Sequence, residues 1–117
     1  MCQEDGVLKQ LERLAQNVAH LIEKDNPAML IQVYDEKIGG KKVNLIQYLL
    51  ELIEKRKINQ AENVLFENLL KLRSSEVKTV VDWFYDSLAL LSDSELGEAM
   101  FSREEIARGR REALSYF

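Results

Sequence analysis

Apolar residues recur at one-turn spacing along most of this chain, and polar residues fill the positions between them. The clearest stretch is Asn44 to Arg73. In its first half Leu45, Ile46, Leu49, Leu52 and Ile53 share one helix face, and in its second Ile58, Ala61, Leu65, Leu69 and Leu72 share another. The break between them, Lys55-Arg56-Lys57, is too short for anything but antiparallel neighbours, so the stretch predicts a helical hairpin. Its cations stand where the last carbonyls of the first helix carry partial negative charge. Asn59, with Glu62 three residues on, reads as the cap that opens the second helix.

The same period extends to both sides. Val7, Leu8, Leu11, Leu14, Ala15, Val18, Leu21 and Ile22 predict a first helix over Glu4 to Lys24, ended by Asp25-Asn26-Pro27. Asn26 as cap and Pro27 at the first helical position predict a short second helix carrying Met29, Leu30, Val33 and Tyr34, closed by Gly39-Gly40. Ser74 or Ser75 opens a fifth helix reaching about Leu91, with Val77, Val80, Val81, Phe84, Leu88 and Leu91 on one face. Trp83, Tyr85, Ala89 and Leu90 widen that stripe beyond a single seam, which favours a central position between neighbours. Two S-x-x-E boxes, Ser92 with Glu95 and Ser102 with Glu105, open the closing helices, pinned by Leu96, Met100, Phe101, Ile106 and Leu114. The expected fold class is all-α, with about seven helices in antiparallel hairpins forming a single domain over residues 1–117.

Composition narrows the function more than it points to one. The 117 residues carry a net charge of -4, so the long-range field repels polyphosphate and a nucleic-acid site would need a strong local basic patch. One cysteine, Cys2, makes no internal disulfide. The opening MCQEDGVLKQL lacks the basic start and apolar core of an export signal, and no apolar run approaches the roughly 20 residues that span a bilayer. The cytoplasm is the expected compartment, with no membrane partner.

Candidate chemistry is sparse. His20, the single histidine, makes H-x-x-E with Glu23, but one imidazole without a second His or Cys builds no zinc or di-metal site. There is no G-x-S-x-G elbow, and the serines have an evident capping use. Gly39-Gly40-Lys41-Lys42 lacks the upstream glycine and downstream Ser/Thr of a P-loop and reads as a cap followed by a solvated turn. No catalytic, cofactor-binding or metal residue is expected, and no cofactor. The clusters Lys37/Lys41/Lys42, Lys55/Arg56/Lys57 and Arg108/Arg110/Arg111 are the material for an alternative nucleic-acid or anion-binding reading, although each also lies near a helix end where cations offset the dipole. Trp83 and Tyr85 are the candidate interface residues, weighed against core packing. Phe84 keeps the stripe and belongs to the core.

The spacing of Ile58, Ala61, Val64 and Leu65, with a small residue where two helices approach, resembles one tetratricopeptide-type unit rather than an array. A broader similarity covers nearly the whole chain. KINQAENVLFENL, followed by FYDSLALLSDSELGEAMFSREEIARGRREAL, resembles a family of short uncharacterised helical proteins of Gram-positive bacteria, a domain of unknown function, with FSREEIARG from Phe101 to Gly109 the most specific phrase. That resemblance implies a cytoplasmic all-helical domain and no activity. The expectation is a non-catalytic protein that binds another protein or itself.

Overall fold

The computed structural model describes residues 9–17, 30–35 and 39–115, in which five helices follow a first helical stretch and one β-hairpin. Helix α1 covers 9–17 and buries Leu11 and Ala15, the described part of the expected first stripe. Strands β1 (Leu30–Asp35) and β2 (Gly39–Asn44) come next, then α2 (Leu45–Glu54), α3 (Ile58–Leu69), α4 (Ser74–Ala89), α5 (Asp93–Glu98) and α6 (Arg103–Ser115). The body is all-α, built of packed helices around one continuous apolar core that runs from Leu11 to Ala113.

The expected second helix is overturned. Its described part is an antiparallel two-stranded sheet in which Leu30 lies opposite Asn44, Gln32 opposite Lys42 and Asp35 opposite Gly39. Leu30, Val33 and Tyr34 fit a helical period, but β-branched Ile31 and Val33 and aromatic Tyr34 are better strand formers than helix formers. The glycines read as a helix stop are the first residues of the returning strand. The seven expected helices therefore become six among the described residues.

The central helical hairpin forms as its stripes require, every residue of both apolar faces being buried. Asn44 caps α2 by accepting from the Gln47 amide at 3.1 Å. The turn after α2 has Arg56 in the left-handed region at φ 62°, with the Lys57 amide donating to the Leu52 carbonyl and the Arg56 amide to the Ile53 carbonyl. This is the double hydrogen-bond closure usually built on glycine. Asn59 is not the cap of α3, which begins a residue earlier behind Lys57; the Asn59 amide Nδ2 donates instead to the Ala99 carbonyl at 3.3 Å.

Helix α4 occupies the central position its wide stripe demands, burying Val77, Val80, Val81, Trp83, Phe84, Tyr85, Ser87 and Leu88. Neither Ser74 nor Ser75 caps it: both lie in its first turn, and Arg73 stands at the cap, its amide donating to Glu76 Oε1 at 3.0 Å. The Ser92 box forms in full, the Glu95 amide donating to Ser92 Oγ at 3.1 Å and the Ser92 amide to Glu95 Oε1 at 3.0 Å, while at Ser102 the Glu105 amide donates to Oγ at 3.1 Å and the hydroxyl meets Glu105 Oε1 at 3.5 Å. Met100 does not pin its turn. It repeats the left-handed closure of Arg56 at φ 58° and is 83% exposed, while Leu96 and Phe101 on either side make the buried contact.

Candidate functional site

Two polar sites tie the helices together, each pairing two residues that the sequence suggests for other purposes. The first lies where α3, α4 and α6 meet. Glu62 projects from α3, and its Oε2 accepts from the Tyr85 hydroxyl of α4 at 2.7 Å. Gly109 of α6 lies over both: a Cβ placed there would come within 2.5 Å of Glu62 Oε2 and the Tyr85 hydroxyl and within 2.9 Å of Tyr85 Cζ. Glycine at mid-helix costs about 1 kcal/mol against alanine, so its presence marks the close approach of three elements.

Burial pushes the Glu62 carboxyl above its ordinary value of 4.5. Glu105 and Glu112 add to that, while the Tyr85 hydrogen bond and Arg108 oppose it. The Tyr85 phenol is raised by burial and by the carboxylate it donates to, so it stays a donor throughout the physiological range. The pair shares one hydrogen bond, and Gly109 lies against it. Arg110, the residue after Gly109, spans Asp86 at 2.6 Å and Asp82 at 3.9 Å.

The second site joins the α2–α3 turn to α5. Arg56 Nη1 donates to the Ile53 and Glu54 carbonyls, each at 3.1 Å, as a cation at this helix end should. Its Nη2 donates to Glu95 Oε2. The Glu95 carboxyl lies below its ordinary value because the Ser92 amide donates to it, with the Ser92 hydroxyl and Arg56 assisting against a desolvation penalty. Nearby, Arg103 reaches back to the Leu91 carbonyl and Asp93, each at 2.8 Å.

Trp83 and Tyr85, the candidate interface residues, are both in the core, at 3% and 0% exposure. Phe84 lies between them, edge-on to Tyr85 with ring centroids 5.0 Å apart. The indole Nε1–H of Trp83 is buried and meets no acceptor among the described residues. His20, Glu23 and Cys2 lie outside the described residues. Gly39-Gly40-Lys41-Lys42 is strand β2, neither cap nor turn. Of the basic clusters, Arg56 and Arg110 are engaged by carbonyls and carboxylates of the chain itself. Among the described residues no three of His, Cys, Asp and Glu converge as a metal site would need, and no helix is long and apolar enough to cross a membrane.

The sequence model of one family matches residues 1–117, the full length. The chain belongs to the family of unknown function DUF6483. The DUF6483 match takes in both polar sites, the β-hairpin and FSREEIARG, whose last residue is the Gly109 that closes the Glu62–Tyr85 pair. No curated protein and no solved structure matches the chain. The sequence reading assigned Glu62 to a cap and passed over Gly109. A lone glycine inside an otherwise helical run was the available signal for a close packing contact.

Proposed function

We propose that this protein is a non-catalytic binding module whose partner-facing element is the β1–β2 hairpin. One observation carries the reading: the hairpin forms the two-stranded sheet β1–β2, and among the described residues no third strand joins it. Among the described residues each strand thus keeps one row of backbone donors and acceptors outside the ladder, which is the means by which sheet edges take up another chain. The helical body supports this role by holding β2 directly on the N-terminus of α2, with Asn44 serving both as the last strand residue and as the helix cap. The polar side chains of the two interhelical sites are turned to holding helices together rather than to an open cleft.

A photo-crosslinking residue in place of Gln32, in living cells, is expected to give discrete protein adducts. The same residue in place of exposed Ser94 on α5 should not. Adducts with nucleic acid, or the same pattern from both positions, would overturn the reading.

A further inference from the structure

We infer that α6 is a releasable strap: it lifts from α4 as a unit while α2, α3 and α4 stay packed, and the charge on Glu62 governs how firmly it lies down. Little apolar surface holds it. The 10 residues of α2 bury Leu45, Ile46, Leu49, Leu50, Leu52 and Ile53. The 13 residues of α6 bury Ile106, Gly109 and Ala113, of which Ile106 alone has a large side chain, with Leu114 half-buried beyond them. Burial of large apolar side chains is the main source of local stability, so α6 belongs to the low end of the range over which parts of one protein open separately. Its mid-helix glycine weakens the undocked helix further, and a helix of this length is marginal when it stands alone.

What holds α6 instead is largely polar and partly open to water. At its first residue Arg103 reaches the Leu91 carbonyl and Asp93, and further along Arg110 reaches Asp86, which is 58% exposed. Ion pairs in contact with solvent contribute little each. Between these ties Gly109 lies directly on the Glu62–Tyr85 pair, so close that no Cβ fits. The groups that act on the Glu62 charge are Tyr85 from α4 and Glu105, Glu112 and Arg108 from α6, two anions to one cation on the helix that must come down on it. Arg110, the next cation along, is taken by Asp86 and Asp82. An ionised Glu62 beneath α6 has lost water and faces net negative charge, whereas a protonated one keeps its hydroxyl neighbour without that penalty. Lifting α6 returns the carboxyl to water. The docked form therefore holds a proton that the lifted form gives up, and release grows as pH rises above the ordinary value of 4.5.

Hydrogen exchange of the full chain at single-residue resolution tests this, with α4 as the internal reference. Amides within α6 are expected to be about tenfold or more less protected than those from Val80 to Leu88 in α4. Their protection relative to α4, corrected for the intrinsic rate, should fall several-fold as pH rises from 4.5 to about 7. Glu62→Gln keeps an acceptor for Tyr85 without the charge, and should hold that ratio at its acid value throughout. Asp86→Asn leaves the buried pair untouched and loosens Arg110, so it should lower α6 protection at every pH with α4 unchanged. Equal protection of α6 and α4 in the wild type overturns the inference, because α6 would then open only with the whole body. So does a ratio that rises with pH, a pH dependence that survives Glu62→Gln, or an Asp86→Asn variant as protected as the wild type. Protection that merely tapers toward Ser115 and ignores Glu62 is ordinary end fraying and overturns it too.

Discussion

Glu62 and Glu95 are both carboxylates in the part-buried zone between helices, and both accept from a side chain far away along the chain, yet their protons answer in opposite senses. Glu95 meets the Arg56 guanidinium and the backbone of its own capping box, so its charged form is favoured. Glu62 meets a neutral phenol under a cover of other helices, with Glu105 and Glu112 adding negative charge, so its charged form is disfavoured. The difference shows that a hydrogen bond alone does not set the protonation of a carboxylate. Desolvation and the sign of the surrounding charge decide it. It also separates two structural tasks. The Arg56 site fixes a turn, and the Glu62 site fixes the distance between three helices.

The largest expected effect is at Gly109. Gly109→Val places branched carbon against the rigid Tyr85 ring, so α6 cannot seat without moving, and a loss of roughly 3 kcal/mol is expected in urea unfolding, the upper end of ordinary overpacking. A change under about 0.5 kcal/mol, the ordinary range for surface substitutions, would mean that α6 does not approach α4 so closely. Next comes Tyr85→Phe, which leaves the Glu62 carboxylate buried without its donor and should cost about 2 kcal/mol. The loss should shrink when Glu62 is already Gln, and full additivity in that double-mutant cycle would deny the coupling.

At the turn the comparison runs the other way, because strain and capping nearly cancel. Arg56→Ala loses the carbonyl contacts and Glu95 while keeping a side chain in the left-handed region, whereas Arg56→Gly loses the same contacts but relieves the strain. The glycine variant should therefore be the more stable of the two by about 1 kcal/mol. The reverse order, measured by thermal unfolding, would show that left-handed backbone is not what position 56 costs.

Smallest are the pH slopes. Folded Glu62 keeps its proton above 4.5, where the unfolded chain has lost it, so this group makes stability fall as pH rises through the window just above that value. Folded Glu95 stays charged below 4.5, where the unfolded chain gains a proton, so its contribution is lost as pH falls through the window beneath. Glu62→Gln should flatten the first slope and Glu95→Gln the second. Denaturation midpoints measured across both windows check the pair, and a swapped assignment would reverse the comparison.

Much of the helical body was legible because burial obeys one period. The faces of α2 and α3 and the long face of α4 follow directly from where leucine, isoleucine and valine recur. The two serine boxes were legible because Ser and Glu at that spacing have few other local uses. Asn59 and Glu62 were misread for the same reason: their spacing fits a cap, and nothing local says that each is taken by a residue far along the chain, Asn59 by Ala99 and Glu62 by Tyr85. The hairpin was missed because Leu30, Val33 and Tyr34 satisfy a helical period by chance over so short a run. The decision there falls to β-branching and to the strand opposite, and pairing is a non-local fact. Trp83 and Tyr85 lie on a helix that both α2 and α6 contact, and those contacts, unlike the width of the stripe, are not local to the sequence.

The glycine at 109 has a consequence for the order of folding. Helices α2 and α3 meet across a three-residue turn, so their contacts close short loops and form early. The seat that Gly109 needs exists only once Glu62 and Tyr85 are already side by side, and those residues precede it by 47 and 24 positions. If the short loops close first, α6 docks late and the Gly109 contact forms after the transition state. Substitutions at 109 should chiefly accelerate unfolding, whereas Ala61→Leu at the α2–α3 crossing should chiefly slow refolding. For a chain made on a ribosome, the residue that closes the body emerges after both of the residues it packs against.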